Sequence, residues 1–134
     1  MGNPVKVTGS ISTAHYRTEL TASGHVMISD EGEALGGKDL GPTPSAFLGA
    51  SLASCTAITL RMYADRKEWD LKQADIHVTV ERDREQNITK ITRVIELTGD
   101  LSETEKERLL AIANKCPVHQ MLSNPIEITS ALAP

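Results

Sequence analysis

Between Ser45 and Ala64 the chain runs without proline, with a single glycine at Gly49 and no charged side chain before Arg61. As an α-helix this stretch would be roughly 30 Å long. Phe47, Leu48, Leu52, Cys55, Ile58, Leu60 and Met62 surround its axis, while Ala46, Gly49, Ala50, Ser51, Ala53 and Ser54 keep its first half slim. A helix that is apolar on every side is either the centre of a core or a membrane span. The hydroxyls of Ser45, Ser51, Ser54, Thr56 and Thr59, and the charges that begin at Arg61, argue for the core and against lipid. A chain of 134 residues has few elements left to enclose such a helix. The missing cover is therefore expected from a second subunit.

The flanking segments read as sheet. Val5, Val7 and Ile11 are evenly spaced about Gly9, and Tyr16, Thr18 and Leu20 alternate again. Ala22-Ser23-Gly24 then turns the chain into His25-Val26-Met27-Ile28, the pattern of short antiparallel strands. From Asp30 to Pro44, Gly36-Gly37 and Gly41-Pro42-Thr43-Pro44 punctuate a loop long enough to carry function. Beyond the long helix, Ile76, Val78 and Val80 alternate with His77, Thr79 and Glu81 as a half-buried strand. Arg82 to Asn87 turns the chain, and Ile91, Ile95 and Leu97 mark the returning strand.

Ser102 and Glu105 form a capping box that opens a helix through Leu109, Leu110 and Ile112 to about Asn114. Cys116-Pro117 begins a short helical turn, because proline suits the first helical position. Ile126 and Ile128 read as a final edge strand. Strands and helices are segregated along the chain, so the expected class is α+β, in one domain spanning 1–134.

Charge and composition exclude several functions. Fourteen basic residues stand against eighteen acidic ones, a net charge of −4, so no basic stripe is available for nucleic acid. The aromatic residues are Tyr16, Phe47, Tyr63 and Trp69, too few for a base-stacking platform. No apolar run of signal-peptide length follows Met1-Gly2-Asn3-Pro4, which predicts a cytoplasmic protein with no membrane partner. In that compartment Cys55 and Cys116 are not expected to form a structural disulfide; they are either redox-active or inert and buried.

Cys116 occupies a helix N-cap, where amide donors and the positive end of the helix dipole stabilise a thiolate. Cys55 lies mid-helix, so any activating cation must come from elsewhere. Arg17, beside Glu19 in an early strand, either belongs to a solvated face or reaches a thiolate, since arginine always carries its charge. Cys55, Cys116 and His119 could ligate a metal, but only one half of a zinc pattern is present. Gly49-Ala50-Ser51 lacks the second glycine and the strand-to-helix turn of a nucleophile elbow. Gly36-Gly37-Lys38 lacks the upstream glycine of a phosphate loop.

Three segments together resemble the OsmC/Ohr family of thiol peroxidases. The run from Gly41-Pro42-Thr43-Pro44 through Ala53-Ser54-Cys55-Thr56 looks like the family's helix bearing the reactive cysteine. Lys115-Cys116-Pro117-Val118-His119 looks like its second-cysteine motif, and the stretch from Asp30-Glu31 to Gly36-Gly37 resembles the loop before the long helix. The resemblance implies an intertwined homodimer with long central helices between antiparallel sheets. It implies Cys55 as peroxidatic thiolate, Cys116 as resolving partner and Arg17, at about the position of the family's activating arginine, as the cation. The implied substrate is an organic hydroperoxide and the reductant an external thiol or a dithiol such as a lipoyl group, with no cofactor.

One position departs from the family pattern. Ala46 stands where a glutamate that orients the arginine is expected. That substitution favours the other reading of the same chain, a non-catalytic dimer that senses redox state or binds an apolar ligand.

Overall fold

The structure, a computed structural model describing residues 4–134, divides at Leu48 into an N-terminal unit and a C-terminal unit that begins at Gly49. Met1-Gly2-Asn3, part of the segment on which the expectation of a cytoplasmic protein rests, lies outside the described residues.

In the N-terminal unit β1 (Thr8–Ser10), β2 (Thr18–Ala22) and β3 (His25–Ser29) form an antiparallel sheet in that order. Ala22 pairs with His25 across a two-residue turn, Ser23-Gly24, in which both residues take positive φ. That conformation matches the twist of the flanking strands. The first strand is shorter than its sequence pattern: only Thr8 to Ser10 pair with β2, and Val5, Val7 and Ile11 stand exposed outside the ladder. Three residues of register leave nothing to hold the flanking alternation in a sheet.

Asp30 organises the loop that follows. Its Oδ1 accepts from the Tyr16 and Glu31 amides at 3.0 and 2.8 Å, and its Oδ2 from the Lys38 and Leu40 amides at 3.2 Å each. Burial pushes this carboxyl up, but the four amides outweigh it and hold Asp30 below the usual carboxylate range. A Cβ at Gly37 would collide with the Glu31 carbonyl, so the loop closes only around glycine there.

Helix α1 (Pro44–Lys67) starts at the end of this unit and forms the spine of the next. Thr43 Oγ1 accepts from the Ala46 amide at 3.3 Å, and Pro44 takes the first position. Its buried residues, Gly49, Leu52, Thr56, Leu60 and Ala64, recur at three- and four-residue steps and make one stripe. Ile58 and Met62 lie off that stripe, 55% and 63% exposed. By length and composition α1 could cross a membrane, with a mean hydropathy of 1.2 over 18 residues, a test that the core helix of a soluble protein also passes.

In the C-terminal unit β4 (Asp70–Asp83) and β5 (Ile88–Asp100) form a long antiparallel hairpin, with an irregularity between Leu71 and Gln73. Gly99 opposes Leu71 at φ 145°, and a Cβ there would strike the Asp70 carbonyl. Val78 and Val80 on β4 face Gly49 of α1, whose missing side chain lets helix and sheet approach.

Helix α2 (Glu103–Ala113) opens with the expected capping box: Ser102 Oγ accepts the Glu105 amide and Glu105 accepts the Ser102 amide. Leu109, Ile112 and Ala113 of α2 close the core against Leu60 and Ala64 of α1 and Leu71 of β4. Helix α3 (Pro117–Ser123) follows, and residues 124–134 form no strand. Ile126 and Ile128 are 62% and 84% exposed, correcting the expected edge strand. Alternation yields a strand only where a sheet edge receives its backbone, and none does here.

Candidate functional site

The site grows from the joint between α2 and α3. Cys116 takes extended φ and ψ at the N-cap of α3, with Pro117 next, and its Sγ accepts the His119 amide at 3.3 Å. A sulfur thus does the capping that an aspartate or serine oxygen does elsewhere. The same turn reaches α1: the Val118 amide donates to Cys55 Sγ at 3.5 Å. Both cysteines are free thiols, Cys116 fully buried and Cys55 partly accessible. The sequence had assigned amide support to Cys116 alone; the fold extends it to Cys55 by laying the first turn of α3 against α1. Negative charge arriving on either sulfur meets an N–H dipole already in place.

Thr56, the residue after Cys55, is wholly buried. Its Oγ1 donates to the Leu52 carbonyl at 2.7 Å and lies 3.8 Å from Cys116 Sγ. It also accepts from Arg93, whose Nη1 is 3.1 Å away. The other arm of that guanidinium, Nη2, donates to Asn114 Oδ1 at 2.9 Å and meets His119 Nδ1 at 3.3 Å. A guanidinium only donates, so Nδ1 accepts and the ring proton sits on Nε2. All three partners of Arg93 are neutral acceptors.

Arg93 was not singled out from the sequence, although a signal existed. It interrupts the inward row Ile91, Ile95 and Leu97 of β5 with a charge. The Val118 amide had no signal at all, since a backbone donor leaves no trace in residue identity.

Arg17 lies in the N-terminal unit, where it pairs with Glu19 at 3.8 Å with both side chains half-exposed. The two line a polar hollow of about 250 Å³ with Ser10, Ser12 and Ala14. Ala46 is exposed in the first turn of α1. Among the described residues no group of three or more His, Cys, Asp or Glu side chains could hold a metal ion. Nδ1 of His119 is engaged by Arg93.

Residues 36–131 match the family of OsmC-like proteins. No curated protein matches the chain. Among solved structures the fold is similar to an OsmC-like protein from Mycoplasma pneumoniae, at 22% identity and a TM-score of 0.78, covering 91% of this chain and 89% of that one. It is also similar to an organic hydroperoxide resistance protein OsmC from Legionella pneumophila, at 20% identity and 0.65, covering 90% of each chain. A third likeness is to the organic hydroperoxide resistance protein OhrB of Bacillus subtilis, at 20% identity and 0.63, covering 90% of this chain and 91% of that one. At these identities the likeness concerns the fold.

Proposed function

We propose that this chain, which belongs to the family of OsmC-like proteins, reduces organic hydroperoxides through Cys55 and Cys116 at the expense of an external thiol. The observation that carries the reading is the convergence of both free sulfurs on consecutive amides of α3, Val118 for Cys55 and His119 for Cys116. The relatives named for organic hydroperoxide resistance support the substrate class.

In the proposed cycle the Cys55 thiolate attacks the distal peroxide oxygen. The O–O bond breaks, the distal hydroxyl passes to sulfur to give the Cys55 sulfenic acid, and the leaving alkoxide takes up the proton released when the thiol ionised and departs as alcohol. Cys116 then displaces hydroxide as water and closes a disulfide, which an external dithiol, lipoyl for example, reopens by exchange. The partial accessibility of Cys55 against the full burial of Cys116 supports this division of roles. Arg17 is the proposed activating cation. No dissociable cofactor enters the cycle.

The proposed working form is a cytoplasmic homodimer. Exposed Ile58 and Met62, one helical turn apart on α1, support it, since apolar surface of this kind is stabilised by burial at about 25 cal/mol per Å². Ala46 favours the second reading, a dimer that binds an apolar ligand or senses oxidants without turnover.

Dimedone trapping after one equivalent of cumene hydroperoxide separates the roles. The label is expected on Cys55, and its yield should rise in Cys116→Ser. A label on Cys116 in Cys55→Ser protein would reverse the assignment, and no label in any form would favour the ligand-binding reading.

A further inference from the structure

Arg93 is an anomaly that the hydroperoxide cycle does not use. A guanidinium on the inward side of a strand, in a row otherwise made by Ile91, Ile95 and Leu97, is costly unless its donors are satisfied. Here Nη1 and Nη2 both reach acceptors, and each acceptor is a near neighbour of a cysteine in the chain. Thr56 follows Cys55, Asn114 precedes Cys116 by two residues, and His119 follows it by three and gives its amide to the Cys116 sulfur. One planar fork therefore ties α1, the end of α2 and the start of α3 together around the two sulfurs.

We infer that Arg93 is a positioning residue for disulfide closure, holding the Cys116 sulfur beside α1 so that it can meet Cys55 once Cys55 is oxidised. The inference deepens the proposed cycle and rests on it. In the step concerned, the Cys116 sulfur attacks the sulfur of the Cys55 sulfenic acid. An S–S bond forms and the S–O bond breaks. The hydroxide that leaves takes the Cys116 proton as water; the Cys55 sulfur is reduced and the Cys116 sulfur oxidised.

Closure demands narrow geometry, since a disulfide accepts Cα–Cα separations of only about 4.4–6.8 Å. Freed from the fork, the α2–α3 joint samples positions from which attack is unproductive, and a misplacement of about 1 Å costs as much as a hundredfold in rate. The proposed peroxide step uses the Cys55 sulfur, the Val118 amide and Arg17, whereas the hydrogen bonds of Arg93 go to Thr56, Asn114 and His119.

The experiment is single-turnover oxidation of the full chain with cumene hydroperoxide, following sulfenic acid by dimedone trapping and disulfide by mass spectrometry. In Arg93→Gln, sulfenic acid should form near the unaltered rate while closure slows by about tenfold or more. Arg93→Lys keeps the charge without the fork and should fall between. Closure at the unaltered rate in Arg93→Gln would overturn the inference. So would an equal loss of both steps, the mark of a merely structural role.

If Arg93→Gln does not fold, Arg93→Lys and Asn114→Ala decide the matter, and unchanged closure in both overturns it. A parallel arm uses diamide: one thiol adds across its N=N bond, and the second thiol attacks that sulfur, forming the S–S bond as the S–N bond breaks and the reduced hydrazine leaves. Arg93-dependent closure with diamide, alongside inertness to cumene hydroperoxide, would sink the peroxidase reading while upholding the role of Arg93.

Discussion

Replacing Thr56 by valine preserves the shape of a wholly buried side chain and deletes one oxygen. That oxygen accepts from Arg93 Nη1 at 3.1 Å, donates to the Leu52 carbonyl at 2.7 Å and lies 3.8 Å from Cys116 Sγ. The Leu52 carbonyl keeps a helical partner, so its loss is small. A charged donor left without its acceptor in a part-buried site costs about 1–3 kcal/mol. Burying a methyl in place of the hydroxyl returns roughly 1 kcal/mol. The net loss is about 0–2 kcal/mol, a fall in Tm of at most roughly 8 °C for a chain of this length.

Thr56→Ser retains the oxygen and loses a buried methyl, also at about 1 kcal/mol, so stability alone does not separate the two variants. Coupling does. In a urea-denaturation double-mutant cycle with Arg93→Gln, Thr56→Val should show an interaction of about 1–2 kcal/mol, whereas Thr56→Ser should be additive with it. Additivity of Thr56→Val within about 0.5 kcal/mol would mean that the oxygen and the guanidinium are neighbours without being partners, and the reasoning about the fork would fail.

Two further outcomes concern stability. Leu109, wholly buried between α2 and the α1 core, should cost about 3–4 kcal/mol on truncation to alanine, read from the urea midpoint; a loss below about 1 kcal/mol would mean the core closes differently. Asp30 titrates below its ordinary value of 3.8 in the folded chain, because four amides outweigh the effect of burial. Its stabilising contribution is therefore complete above that ordinary value and is lost as pH falls through the lower folded one. The stability gap between unaltered protein and Asp30→Asn should be constant near neutrality and shrink below pH 3.8, measured by urea midpoints at successive pH values; a gap that widens with acid would contradict the amide cage.

What could be read from residue order was what local chemistry dictates. Ser102 and Glu105 announce their cap, Cys116-Pro117 announces the start of α3, and the run from Ser45 to Ala64 announces all but the ends of α1, because each rule acts within a turn or two of helix. The paired cysteines were visible as candidates for the same reason. Their shared support was not, because the Val118 amide reaches Cys55 only after α3 has docked on α1. Arg93 carried a legible oddity, a charge in an aliphatic row, whose meaning depends on acceptors from three other elements. Ile126 and Ile128 misled in the opposite direction: their alternation is genuine, but no edge strand of the sheets receives it.

The central claim is that Cys55 turns over hydroperoxide, and one measurement addresses it most directly. Reduced protein is mixed with cumene hydroperoxide and either dithiothreitol or dihydrolipoamide, and peroxide loss is followed beside Cys55→Ser. The account predicts catalytic consumption that disappears in the variant, with Ala46 tolerated. A folded protein that consumes no peroxide with either reductant, or a Cys55→Ser variant that consumes it equally well, would contradict the account.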